Sequence, residues 1–363
     1  MKTKALGEIC RPKQWKTVSV SQLCENGYPV YGANGVIGKY KDFNHKKETI
    51  LVTCRGATCG TLNICAPFSY VNGNAMALDS LDKSVDLRYL YYFLKGRGFH
   101  DVISGSAQPQ IIRSAIERIE VPICNIGTQK EITKRFTKIE DIIKNKKRLL
   151  ADLDNLIKAR FVEMFGDNFG EIVELGNVCD VRDGTHDSPK YHNEGYPLVT
   201  SKNICNGKID FSTCNLIQKE DYDKINKRSK VEIGDILMPM IGTVGNPIII
   251  NTNNEFAIKN VALIKFKDNS VILNTFVKAL LESDYFGRAV LSKTKGGTQK
   301  FISLGDIRKL ELNLPPIELQ NQFATFVAQV DKSKFTLQNS IISLMNLWYN
   351  INQYVCERTY GEA

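Results

Sequence analysis

Residues 105–121, GSAQPQIIRSAIERIEV, align without a gap on residues 296–312, GGTQKFISLGDIRKLEL, at an offset of 191 positions. Gln129 meets Gln320 at the same offset. Upstream, with small insertions, ALGEIC (5–10) answers ELGNVC (174–179), and ETILVTCRGATCG (48–60) answers GDILMPMIGTVG (234–245). A pattern written twice in one order restricts the chain to two copies of a single plan, a globular segment followed by a long helix.

The helical segments repeat most cleanly. Ile132, Phe136, Ile139, Ile143, Lys146, Leu150, Leu153, Ile157, Arg160 and Met164 advance in alternating steps of four and three. Phe323, Val327, Val330, Lys334, Leu337, Ile341, Leu344, Trp348, Ile351 and Val355 do the same, each 191 positions after its counterpart. That alternation is the a/d seam of a coiled coil, and ten positions of it exceed what packing on one domain needs. The plainer alternative is two separate amphipathic helices. Thr128 and Glu131 read as a capping box opening the first helix, Gly166 closes it, and Pro315 and Pro316 lead into the second. About 36 residues at ~1.5 Å each make a rod of roughly 54 Å. Two such rods paired about a pseudo-twofold axis run antiparallel and hold one globular segment at each end. Along B-DNA that separation spans at most roughly 16 base pairs.

The resulting map has globular segments at 1–126 and 168–315, long helices at 127–167 and 316–358, and a tail at 359–363. Short β-rich runs (TILVTC, GDILMPMI, NPIIIN) precede helical stretches (VDLRYLYYFLKG, LNTFVKALLESDYFGRAV), so each segment reads as a small α+β domain. The fold class expected is α+β: two similar domains joined by an antiparallel helix pair.

Composition narrows the function classes. The net charge is +9, of which the first globular segment carries +6 and the first helix +3. A basic first half suits a polyanion, because lysine and arginine release counterions from phosphates. The ten cysteines include no C-x-x-C, and Cys54, Cys59 and Cys65 lack both zinc-finger spacing and histidine companions. Free thiols of a reducing compartment are therefore expected. With no signal-like apolar stretch and no apolar run of membrane-spanning length, the chain is expected to be cytosolic and to touch no membrane.

Catalytic motifs are missing. YPVYGANGVIGKY (28–40) looks like a phosphate loop, but five residues separate Gly32 from Gly38, and Tyr40 stands where Ser or Thr would hold Mg²⁺. NLPPI (313–317) is a helix lead-in rather than the Asn/Asp-Pro-Pro-aromatic motif of an adenine methylase. GTH (184–186), flanked by Asp183 and Asp187, hints at a metal or a catalytic histidine, although a lone loop histidine more often makes hydrogen bonds. No nucleophile or carboxylate pair accompanies it, and no metal is expected.

The loops do carry groups that read DNA, since Asn and Gln pair with adenine and Arg and Lys with guanine. Arg55, Asn72, Asn74 and Gln108 in the first half stand opposite Lys259, Asn260, Gln299 and the lysines 293, 295 and 300 in the second. In the opening loop, glycines 32, 35 and 38 would let the backbone approach DNA, with Tyr31, Asn34, Lys39 and Tyr40 as contacts. Any phosphate met there would belong to DNA.

These stretches resemble the specificity subunits of type I restriction-modification enzymes. YPVYGANGVIGKY, ILVTCRGATCG, VNGNAMAL and the GTQKEI helix lead-in carry the resemblance in the first half. RDGTHDSPKYHNEGYPLVTSKNI, GGTQKFI and LPPIELQNQ carry it in the second, and together they span nearly the whole chain. The resemblance implies two target-recognition domains, each reading one half of a bipartite asymmetric site, with helices fixing the unread gap. It adds Thr185, His186, Lys190 and Lys202, with Lys295 and Lys300, to the expected DNA contacts. It further implies two methyltransferase partners that use S-adenosylmethionine on adenine N6, a restriction-translocase partner, and no catalysis or cofactor on this chain. The loops of the two halves differ far more than the helices, which suits two different half-sites. Two other classes compete: an enzyme in its own right, and a coiled-coil adaptor for proteins without DNA specificity.

Overall fold

The computed structural model describes residues 2–105, 107–166, 170–205, 207–240, 246–266, 271–293 and 302–360. The chain divides into two compact units, residues 1–148 with 337–363 and residues 149–336. The division cuts both long helices, Ile126–Phe165 and Ile317–Tyr360, near their middles. Each unit therefore takes the early half of one helix and the late half of the other, or the reverse. Segmentation by element, as read from the sequence, does not express this sharing.

The first unit opens with Lys2–Ala5, paired antiparallel with Glu120–Ile123, the strand that delivers the chain into the first long helix. A four-stranded sheet follows in the order Arg11–Gln14, Ala75–Asp79, Thr49–Thr53, Leu62–Cys65. A smaller sheet orders Gly35–Tyr40, Tyr28–Gly32 and Tyr70–Val71, the last pair parallel. The strand Thr49–Thr53 is apolar over its three central residues because both its faces are covered. Ile50 and Val52 point into the cluster with Leu90 and Phe93 of the helix Leu87–Arg97, while Leu51 points into the cluster with Val71. Alternation of side chains along a strand produces that division.

The second unit repeats the plan. Glu171–Glu174 pairs with Glu311–Leu314, and a four-stranded sheet orders Asp180–Asp183, Val261–Lys265, Ile236–Pro239 and Ile248–Ile249. A smaller sheet again sets a parallel pair, Tyr196–Val199 with Ala257–Ile258, beside Asn215–Ile217. Ile236 and Met238 face one core and Leu237 the other. The stretch 273–290, expected as one helix, is two, Asn274–Leu281 and Asp284–Lys293, interrupted at Glu282 and Ser283. Among the described residues, the helix Lys219–Ser229 has no counterpart in the first unit, nor does Asp284–Lys293.

Gln129 and Gln320 are fully buried and make the same three bonds. Gln129 Oε1 accepts from Asp86 N at 2.8 Å, and its Nε2 donates to Ser84 O and Cys124 O. Gln320 Oε1 accepts from Leu273 N at 2.8 Å, and its Nε2 donates to Val271 O and Pro315 O. Each staples the first turn of a long helix to the start of the short helix packed beside it. The cap of the first long helix is Asn125, one residue before the first turn, and not Thr128 as the sequence pattern suggests. Asn125 Oδ1 accepts from the Thr128 amide at 2.9 Å and its hydroxyl at 3.2 Å.

Helix pairing is visible inside each unit. In the second, Phe161 meets Phe323 with ring centroids 5.6 Å apart, and Asp154 meets Lys334 at 2.6 Å, so the two segments run antiparallel. In the first, Phe136 meets Trp348 and stacks on Tyr92. Two charged seam positions have neighbours: Lys334 reaches Asp154, and the Arg160 guanidinium lies 5.8 Å from the Phe326 ring. Nine cysteines, all those with described side chains, are free. Burial pushes the Cys10 thiol up to about 12 and Cys214 to about 11, which leaves both as inert packing groups.

Candidate nucleic-acid interface

In both units candidate loops follow the parallel strand pair and lie beside a loop leaving the larger sheet. In the first unit Gly32 leads into the turn Ala33–Asn34, and Val71 leads into Asn72–Asn74. Neighbouring segments are tied to these turns by short bonds. Thr53 Oγ1 donates to Ala33 O, Cys54 N to Asn74 O at 3.2 Å, and Gly56 N to Pro109 O at 3.0 Å. Asn34, Arg55, Asn74 and Gln108 are all exposed on this joined set of loops.

Several expected contacts have other work. Asn72 is buried: its Oδ1 accepts from Val18 N and Gly73 N, and its Nδ2 donates to Val18 O, so it cannot read a base. Tyr31 packs near Trp15 and its hydroxyl accepts from Ala66 N, while the Tyr40 ring packs edge-on to Tyr70. YPVYGANGVIGKY is a β-hairpin. Lys39 and Tyr40 pair with Pro29 and Tyr28 at its open end, about 16 Å along the strand from Asn34. Only Gly35, with φ +102°, faces open space. A Cβ on Gly32 or Gly38 would meet Ile37 or Leu23 at 2.9 Å, so those two glycines serve the hairpin and not an approach to DNA.

In the second unit three loops are stitched together. Thr185 N donates to Ile258 O, Asn260 N to Thr185 O, and Lys259 N to Val199 O, at 2.9–3.2 Å. Gly184 is required here, since a Cβ would sit 2.2 Å from Ile258 O. Lys190 and Lys202 are exposed and Lys259 is half-buried, its Nζ donating to Ser188 Oγ at 2.6 Å. Thr185 caps Asp187 N and is half-buried, so it supports the loop from within. Lys295, Gln299 and Lys300 lie outside the described residues.

His186 answers the question its sequence raised. Its Nδ1 lies 2.7 Å from Asn260 Oδ1 and its Nε2 2.8 Å from Asp183 Oδ2. The Oδ1 of Asn260 is thus engaged by this histidine, which leaves its Nδ2 as the atom able to meet a base. The bonds to Asn260 and Asp183 raise the titration of this exposed imidazole above its ordinary value, because both favour the protonated ring. Arg228, from the helix Lys219–Ser229, was not singled out by sequence. Its Nη2 donates to Asp183 Oδ1 at 2.6 Å and to Gly184 O at 3.2 Å. The available signal was the insertion KEDYDKINKRS itself. Among the described residues no three His, Cys, Asp or Glu side chains gather as a metal site requires.

Two copies of one α+β unit, each presenting cationic and amide-bearing loops at the same strand ends, define a duplicated recognition protein. The chain belongs to the type I restriction modification DNA specificity domain family, whose model matches residues 1–155 and 170–346. Its role is DNA sequence specificity in such a system. It is 23% identical over 372 residues to the type I restriction enzyme MjaVIII specificity subunit of Methanocaldococcus jannaschii, covering 91% of this chain and 87% of that one. The crystal structure of the S subunit from M. genitalium shares its fold, with a TM-score of 0.56, 16% identity and coverage of 98% and 95%. A chain from a structure of the type I R-M system, solved to explain complex assembly and conformational transition, matches at a TM-score of 0.58 and 16% identity, with coverage of 98% and 97%. No helix among the described residues is long and apolar enough to cross a membrane.

Proposed function

We propose that the chain reads a bipartite, asymmetric DNA site, one half per unit, and that its long helices fix the unread gap. One observation carries this reading. The staple at the start of each long helix is the same bond for bond, while the loops at matching strand ends differ in nearly every polar side chain. Such a molecule holds two dissimilar readers on one repeated frame. In the first unit Asn34, Arg55, Asn74 and Gln108 are the base-facing candidates, and in the second His186, Lys190, Lys202 and Lys259 supply charge.

Adenine methylation at N6 and DNA cleavage then belong to partner subunits: two methyltransferases that bind S-adenosylmethionine, and a restriction-translocase. This chain works with them in the cytoplasm and holds no cofactor of its own. Apolar side chains outside the helix seam support docking of such partners. Ile342, Met345 and Tyr349 are each more than half exposed at steps of three and four on the second long helix, and Leu149 and Leu156 are exposed on the first.

The test is binding of the full chain to duplex DNA across a salt series. Affinity that falls steeply as salt rises is expected, since each phosphate contact contributes about 0.9 to the logarithmic slope. Absence of salt-dependent binding would favour a protein-binding adaptor, and methylation or cleavage by the purified chain alone would make it an enzyme.

A further inference from the structure

Asp183 is 15% exposed at the end of its strand and holds one partner on each carboxylate oxygen: the Arg228 guanidinium on Oδ1 and the His186 imidazole on Oδ2. Both partner side chains are 65% exposed. The described bonds of the Arg228 side chain all run through Nη2, to Asp183 Oδ1, Asp183 O and Gly184 O. This matters for what the guanidinium can recognise. Its side-on fork uses Nε with Nη2, and its end-on fork uses Nη1 with Nη2, so both two-pronged edges include the nitrogen already committed. Bidentate reading of guanine O6 and N7 needs one of those edges whole. Nε and Nη1 can each make only a single-point contact.

From this geometry we infer that Arg228, oriented by Asp183, makes a single-point contact to a DNA backbone phosphate and no bidentate contact to a base. The inference rests on the DNA-reading role proposed above. Arg228 is the contacting group and Asp183 is a positioning residue. His186 on the other carboxylate oxygen and Asn260 beyond it keep that carboxylate from swinging away. The contact would set the register of the second unit on the duplex without adding sequence information.

The experiment measures binding of the full chain to a random-sequence DNA duplex over a salt series, for the unsubstituted protein, Arg228→Gln and Arg228→Lys. A phosphate contact predicts that Arg228→Gln lowers the salt slope by about 0.9 and weakens binding about tenfold at ~0.1 M salt. Arg228→Lys, which keeps one charged donor but no fork, should stay within about twofold of the unsubstituted protein. An unchanged slope in Arg228→Gln overturns the inference. Equal loss in both variants also overturns it, because the site then needs the guanidinium fork. If the unsubstituted chain shows no salt-dependent binding, the DNA-reading role fails, a result distinct from either of these.

Discussion

The two units are built alike where they meet their helices and unlike where their loops face solvent. Gln129 and Gln320, both fully buried, make the same three bonds, but the groups at the end of the first strand of each larger sheet differ in character. In the first unit Gln14, uncharged, donates to Cys54 Sγ and Gly73 O. In the second the matching position is Asp183, and it binds Arg228 and His186. The frame is fixed by unsatisfied-amide penalties that any substitution would incur. The loops are held only by local braces, which can change independently in each unit. Repeated frame with divergent braces is what two readers of different half-sites require.

A second contrast lies along the helices. Tyr92, six residues past the stapled Asp86, stacks on Phe136 with centroids 5.0 Å apart, and its hydroxyl donates to Glu140 Oε2. Ala279 stands six residues past the stapled Leu273 and leaves an open groove of about 610 Å³ along Phe161, Val162 and Phe165. The smaller side chain at this matched position contributes to the difference, together with the groove walls from Tyr285, Arg288 and Glu311.

Removing the staples should produce the largest effects and tests whether the frames are equivalent. Gln129→Ala and Gln320→Ala each remove three hydrogen bonds to part-buried backbone groups and leave a cavity where a fully buried side chain stood, at a cost of roughly 3 kcal/mol. Hydrogen exchange should show protection lost at the Asp86 amide in the first variant and at Leu273 in the second. Equal losses would confirm equivalence, and a silent Gln320→Ala would break it. Tyr92→Ala comes next, costing about 3 kcal/mol and opening in the first unit a groove like that of the second. Ala279→Leu should cost well under that, because the space is already present. Denaturant unfolding of both variants checks the pair.

The smallest effect concerns charge. The His186 pKa is raised, so its positive charge is present below that value and lost as pH rises through it. DNA affinity should therefore fall as pH rises through the His186 titration, by roughly two- to fivefold for one exposed charge. His186→Gln should flatten that profile, and a profile unchanged by the substitution would remove His186 from the interface.

The seam residues from Ile132 to Met164 were legible in the sequence because their period repeats at a constant offset. The duplicated α+β plan was legible for the same reason. The site was read less well, because side-chain commitments depend on residues distant along the chain. Asn72 looks like a base reader until Val18, 54 residues away, occupies it. Lys39 and Asn34 share one motif, yet the hairpin sends them to opposite ends. Thr128 matches a capping pattern, but Asn125 reaches the free amide first. Arg228 sat unnoticed in a charged helix, and only the fold brings it to Asp183.

The central claim is that each unit reads its own half of the target. Replacing residues 169–315 with the matching segment of a relative, then sequencing methylated adenines in a host carrying the partner subunits, tests it most directly. The account predicts that one half of the recognised site changes while the other half and the gap stay as they were. A change in both halves would contradict it.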